Sequence, residues 1–368
     1  MKLLRAALCS FVLALAMSST AFAVDAAREA LPATLPLAGT LPNADSWRAY
    51  KSRFVTEQGR VVDTGNGGIS HSEGQGYGLL LAVAANDRDA FDRIWGWTRA
   101  NLMVRGDELL AWRWEPDKRP AVADMNNATD GDMLVAWALL EADATWGDMA
   151  YRVAGRRIAV EIGRKLVLPH TAYGPLLLPA LSGFSAEDRS DGPTVNLSYW
   201  IFPALERLAI VAPEYDWAGL SRSGLALLEK ARFGTQKLPV EWTSFDKAEP
   251  HPATGFAATF AYNAIRIPLY LAWSGAGSPT DLAPFVTLWS KRSDRGLPLL
   301  DLSNGRKSAW LGEKGYAAVA DLAACAANGA KLPRSFSAID TSENYYPVTL
   351  HMLSQIAVQM RYPSCLRG

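Results

Sequence analysis

Two acidic stretches carry most of the chemistry available to this chain. The first is Ser70-His71-Ser72-Glu73-Gly74-Gln75-Gly76-Tyr77-Gly78, which sets Glu73 at the start of a predicted helix. Ser70 followed three residues later by Glu73 reads as a capping box. The glycines at alternate positions read differently, because glycine weakens a helix and is kept where backbones must approach closely. A carboxylic acid among aromatic neighbours has its pKa raised and can act as a general acid. Spacing alone leaves both readings open. The second stretch is Asp124-Met125-Asn126-Asn127-Ala128-Thr129-Asp130-Gly131-Asp132, which enters a long apolar helix. Thr129 or Asp130 could be its N-cap, yet the acids and amides here exceed what one helix end requires. Just upstream lie Trp112 and Trp114, with Arg113 between them. They fit core packing or a platform for flat apolar faces such as sugar rings.

Other chemistries find little support. The four histidines, His71, His170, His251 and His351, show no metal-ligand spacing, so neither metal nor cofactor is expected. His71 beside Glu73 reads first as a hydrogen-bonded structural residue. No serine sits in a G-x-S-x-G elbow, and the glycines after Glu73 lack the strand and spacing of a dinucleotide loop. Lys+Arg and Asp+Glu both number 37, which argues against a nucleic-acid partner. Two separated carboxylates with aromatic platforms point to glycoside hydrolysis. One carboxylic acid protonates the leaving oxygen, and a carboxylate or activated water meets the sugar carbon from the other side.

The elements that must position these residues are helices. Apolar residues recur at helical spacing over Gly78 to Ala85, Ala90 to Asn101, Asp132 to Trp146, Ala150 to Leu166, Tyr199 to Val211, Leu220 to Phe233, Asn263 to Trp273, Leu282 to Lys291, Tyr316 to Asn328 and Tyr346 to Met360. Strand-like alternation is scarce, so the fold class is all-α. Long loops at Phe184 to Val195 and Thr243 to Thr259 are where a cleft would be built. Residues 1–23 read as a signal peptide, with Lys2, Arg5, an apolar run and Ala21-Phe22-Ala23. Residues 24–43, rich in proline and alanine, read as a flexible leader, and 44–368 as a single catalytic domain of a mature form that is not membrane-embedded. A periplasmic or secreted monomer follows, in which Cys325 and Cys365 either pair or stay as buried thiols.

These residues together resemble glycoside hydrolase family 8, and within it the cellulases that accompany bacterial cellulose synthesis. The likeness rests on the two acidic stretches, on Asn196-Leu197-Ser198-Tyr199-Trp200, on Tyr262-Asn263-Ala264-Ile265-Arg266 and on Tyr345-Tyr346-Pro347. It implies an (α/α)6 barrel with an open substrate cleft, a β-1,4-linked polysaccharide as substrate, inversion at the anomeric carbon and association with the cellulose synthesis machinery. It implies Glu73 as the general acid and Asp130 as the acid that positions and polarises the sugar. Tyr199 and Arg266 match substrate-contacting positions, Tyr346 a tyrosine on the water side, and Trp112 and Trp114 an aromatic subsite stretch. Many members carry Asp where this chain has Asn263, and that Asp is the general base. An amide cannot take a proton from water at neutral pH. Either another carboxylate does so, with Asp130 first and then Asp124 and Glu241, or Asn263 only orients the water. Other family specificities (chitosanase, xylanase, mixed-linkage glucanase) and a noncatalytic glucan-binding role are the alternatives.

Overall fold

The computed structural model describes residues 36–366, so the proposed signal peptide and most of the leader lie outside the described residues. Among the described residues, eleven α-helices follow in chain order. They are α1 (Ala44–Phe54), α2 (Ser72–Ala84), α3 (Arg88–Asn101), α4 (Thr129–Trp146), α5 (Met149–Lys165), α6 (Phe202–Val211), α7 (Trp217–Lys230), α8 (Arg266–Ser274), α9 (Pro279–Trp289), α10 (Lys314–Asn328) and α11 (Tyr345–Arg361).

Burial sorts them into two layers. α2, α4, α8 and α11 are buried on nearly every side, which matches sequences apolar all round. α3, α5 and α7 alternate arginines and acids with a buried stripe and cover the inner helices from outside. α2 packs on α4, α4 on α6, α6 on α8, and α8 on α10 and α11; the ring closes where α11 meets α2. The inner helices α2, α4, α8 and α11 all begin at the same end, which brings Glu73, Asp130, Arg266 and Tyr346 to one face.

Glycine makes the closest of these contacts possible. A Cβ on Gly76 would meet the Leu134 Cβ at 2.5 Å, and one on Gly131 would meet the Ser72 Oγ at 2.0 Å. α2 and α4 therefore touch backbone to side chain, beside both acidic residues. Close approach explains these glycines. The cap of α2 differs from the capping-box reading: His71, not Ser70, is the N-cap, and its Nδ1 accepts from the Gly74 N–H at 3.0 Å. Ser70 donates instead to the Val61 carbonyl at 2.6 Å. Nor is α4 capped by Thr129 or Asp130. Thr129 Oγ1 donates to the Leu178 carbonyl at 2.7 Å, and Asp132 accepts from the Leu110 N–H at 2.8 Å and the Asn127 amide at 2.7 Å. The surplus of polar residues ties the loop before α4 to that helix and leaves Asp130 for other work.

Short strands escape the helical reading. Leu297–Asp301 and Arg306–Leu311 form an antiparallel hairpin joined by Thr259–Phe260. Thr194–Val195, Thr243–Ser244 and His251–Pro252 staple the two long loops together. Asp191 is buried between those loops and accepts from Ser244 Oγ at 2.9 Å and the Thr254 N–H at 2.6 Å. The predicted helix from Tyr199 begins as a 3₁₀ turn, Leu197–Tyr199, and resumes at Phe202, with Pro203 in its first turn.

Cys325 of α10 and Cys365 are joined by a disulfide across a sequence separation of 40 residues. A loop of that size is expected to contribute ~2–4 kcal/mol by restricting the unfolded chain. Thermal melts with and without reductant check this: the reduced protein should melt several degrees lower, and an unchanged Tm would contradict it.

At the ring's opposite end, Glu141 accepts from Arg207 Nε at 2.6 Å and Trp137 Nε1 at 2.9 Å. Glu206 beside it is buried, and its Oε1 has no partner among the described residues. Burial lifts this carboxyl from its ordinary 4.5 to about 7, against the pull of Arg361 and Arg207. A raised folded-state pKa means stability present below about 4.5 and lost as pH rises through about 7. Glu206→Gln should therefore gain stability over wild type at pH 8 but not at pH 4, measured by denaturant unfolding; equal differences at both would contradict the assignment.

Candidate active site

Arg266, the first residue of α8, is fully buried and reaches four elements at once. Its Nη1 donates to Glu73 Oε2 at 2.5 Å and to Asp130 Oδ2 at 2.7 Å. Its Nη2 donates to Ser198 Oγ and to Asn263 Oδ1, each at 3.1 Å. The Tyr199 ring lies 5.6 Å from the guanidinium carbon. A planar fork with five donors suits this work, whereas a lysine could not span it.

The two carboxylates differ in exposure. Asp130 is 2% exposed and Glu73 16%, so Glu73 is the one that faces open space. Burial pushes the Glu73 carboxyl up to about 7; Arg266 and His71 pull it down, and the Asp130 charge pushes it further up. One cation shared by two buried acids cannot hold both ionised at low cost. Glu73 thus keeps its proton near neutrality while Arg266 stays with Asp130. His71 stands at the rim, with Nε2 3.4 Å from Asp63 Oδ2 and its other nitrogen capping α2.

Glu73 opens into a cavity of about 480 Å³, lined also by Asp130, Trp112, Tyr199, Asn263 and Tyr346. A larger groove, about 1250 Å³, runs between α3 and α5 on the outer surface and holds none of these residues, so volume does not mark the chemistry. Trp112 is held by its Nε1, which donates to Asp124 Oδ2 at 2.8 Å. Asp124 is exposed and positions that indole rather than lining the cavity. Trp114 is also off the cavity. It packs edge-on against Trp97 at 5.5 Å, under the Arg60 guanidinium at 5.0 Å, which is the core reading of this tryptophan. Tyr346 Oη donates to the Tyr262 carbonyl at 3.1 Å.

Sequence reasoning overlooked several residues here. Ser198 lay inside a quoted motif, but only the structure joins it to Arg266. Asp63 and Glu313 line the cavity from segments without periodicity, Tyr262 from a quoted motif in which only Asn263 and Arg266 were given roles, and Tyr316 from the first turn of α10, inside a predicted helix but not singled out. The geometry also argues against Asp130 as the base. Its oxygen and that of Glu73 sit on one nitrogen, well inside the ~6.5–9.5 Å that separates the carboxyls of an inverting pair.

Residues 19–360 match the pattern of the Glycosyl hydrolases family 8. A probable endoglucanase of Novacetimonas hansenii is 35% identical over 317 residues, covering 85% of this chain and 90% of the relative. An endoglucanase of Cellulomonas uda is 37% identical over 279 residues, covering 75% and 76%. Among solved structures, the endo-beta-1,4-glucanase CMCax from Acetobacter xylinum superposes with a TM-score of 0.78 at 33% identity, covering 88% of this chain and 99% of that one. Together with these relatives, the acidic site at the end of the helical ring is that of a glycoside hydrolase. The chain belongs to glycosyl hydrolase family 8, and its ring of helical pairs is the (α/α)6 barrel.

Removing Arg266 leaves two buried acids facing each other. Arg266→Met should destabilise the fold by ~3–5 kcal/mol at pH 8. Less should be lost at pH 5, where Glu73 is protonated in either protein. Denaturant melts at both pH values check this, and a pH-independent loss would contradict it.

Proposed function

We propose that the protein is an endo-β-1,4-glucanase that cleaves internal bonds of cellulose-type glucan with inversion. The observation that carries this reading is Glu73: a carboxyl with a proton affinity near neutrality, facing the cavity and backed by the buried Arg266–Asp130 pair. Glu73 gives its proton to the leaving glycosidic oxygen. Asp130 keeps its charge on Arg266 and stabilises the sugar as positive charge grows at the anomeric carbon. Trp112 offers an indole face, and Tyr199 and Tyr346 offer ring edges and hydroxyls to the chain. The endoglucanase names of the relatives, at 35% and 37% identity, support a β-1,4-glucan over the other specificities.

The remaining assignments belong to the same proposal. Residues 1–23 are a signal peptide cleaved near Ala23, residues 24–43 a leader and 44–368 one catalytic domain. The mature enzyme works as a monomer in the periplasm or outside the cell, alongside the cellulose synthesis machinery. No described helix is long and apolar enough to cross a membrane.

Reducing-end release from carboxymethylcellulose tests the reading. Glu73→Gln should lower the rate by ~10²–10⁴-fold, and a rate within a few-fold of wild type would overturn the acid assignment. Wild-type activity should fall as pH rises past about 7, because the donor must be protonated. Asn263 favours a second reading, a protein that holds glucan without cutting it. Cello-oligosaccharide binding by calorimetry, with no turnover at high enzyme concentration, would establish that one instead.

A further inference from the structure

Inversion requires a group opposite Glu73 that accepts a proton from the attacking water. Among the described residues, four carboxylates line the cavity: Asp63, Glu73, Asp130 and Glu313. Glu73 and Asp130 share one nitrogen of Arg266 and stand on the same side. Asp63 is turned to His71 on the rim beside Glu73. Glu313 Oε1 accepts from both the backbone and the side chain of Asn344, at 2.9 and 3.0 Å, and serves the start of α11. The wall across the Arg266 guanidinium from Glu73 is formed by Asn263. Its Oδ1 accepts from Arg266, and its amide N–H groups are donors that a water can meet.

Directly behind that wall stands Glu241. Its Oε1 accepts from the Asn263 N–H at 2.6 Å, and the amide of the Asn263 side chain also favours its charged form. Its own N–H donates to the Thr259 carbonyl at 3.0 Å, which fixes it against the hairpin sheet. The route from Glu73 to Glu241 runs through the whole Arg266 guanidinium and the Asn263 residue, in contrast to the single nitrogen between Glu73 and Asp130. Glu241 is half-buried just off the cavity lining, and its charge is felt by Tyr199, which lines the cavity. Burial raises its proton affinity against the pull of the Asn263 N–H and Arg266, as suits a base.

We propose that Glu241 is the general base of this enzyme and that Asn263 holds the attacking water for it. This rests on the glucanase reading above. The water oxygen bonds to the anomeric carbon as the bond from that carbon to the leaving oxygen breaks. Glu241 takes the water's proton, and Glu73 delivers its own to the leaving oxygen. The product is the α-anomer, and both carboxyls then exchange protons with solvent. The amide N–H of Asn263 orients the water oxygen and takes no proton.

The test uses the full mature enzyme and a dinitrophenyl β-cellotrioside, whose leaving group needs little acid help. Glu241→Gln keeps an acceptor for the Asn263 N–H but removes the base. Its hydrolysis should drop by ~10²-fold or more. Azide, an anion that needs no deprotonation, should restore turnover and yield the α-glycosyl azide, read by NMR. Adding Asn263→Asp to Glu241→Gln should restore hydrolysis by water, since it sets a carboxylate in the wall itself. Hydrolysis by Glu241→Gln within a few-fold of wild type overturns the proposal. So does a loss that azide does not rescue, because a structural role gives no azide product. Glu313→Gln is made in parallel: an α-glycosyl azide from that variant assigns the base to Glu313 and overturns the proposal even if Glu241→Gln does not fold, and its absence supports Glu241. A wild type that releases no reducing ends from any glucan fails the glucanase reading instead, before the base comes into question.

Discussion

One buried guanidinium organises this protein. Arg266 is fully enclosed, carries one positive charge and faces two carboxylates. Burying a charge is costly unless it is paired and hydrogen-bonded, and here the pairing is uneven. Asp130 is enclosed with the cation, whereas Glu73 borders open space. The arithmetic of one plus and two minuses then leaves a proton on the carboxyl that faces substrate. The same low-dielectric setting that makes the arrangement costly makes it useful, because fixed charges act strongly where water is excluded.

The barrel can be read as the frame that this pair of contacts demands. Glu73, Asp130 and Arg266 each lie in the first turn of an inner helix, so their spacing is set by helix packing rather than by loops. Gly76 and Gly131 let α2 and α4 approach until no Cβ would fit between them, and that approach brings the two acids to one nitrogen. His71 caps α2 and also meets Asp63, so the rim and the helix start are one unit. Beneath the site, Tyr77 and Tyr270 share a hydroxyl–hydroxyl bond at 2.5 Å and close the ring's interior under Arg266. Loops supply what remains, with Trp112 steadied by Asp124 and the Asn263 turn steadied by Glu241.

Much of this was legible in the residues, for identifiable reasons. Inner helices apolar on every side and outer ones with a charged face are visible as patterns, so the all-α class follows from them. The glycines after Glu73 signalled close approach, although only coordinates name Leu134 as the neighbour. Side-chain direction was the main blind spot. Ser70 and Glu73 have capping-box spacing, yet Ser70 turns to Val61 and leaves the cap to His71. Trp112 and Trp114 are two apart, a spacing that would put both on one face of a strand, but the strand is only Arg113–Trp114; Trp112 lies just before it, and only Trp112 reaches the cavity. Asp124 had the right chemistry but lies on the outside of that tryptophan. Most short strands were missed because two-residue pairings leave no alternation to detect, and the longer hairpin strands Leu297–Asp301 and Arg306–Leu311 are buried or exposed in runs rather than alternately. Glu241 and Glu313 lie in segments without periodicity, where their neighbours are set by tertiary contacts alone.

The central claim is that burial and the Asp130 charge, against the pull of Arg266, keep Glu73 a proton donor near neutral pH. The most direct measurement is the titration of Glu73 itself, from carboxyl carbon NMR of the labelled enzyme compared with the Glu73→Gln variant. The account predicts one carboxyl resonance, lost in the variant, that titrates at about 7. A Glu73 resonance that titrates at or below the ordinary glutamate value of 4.5 would contradict it.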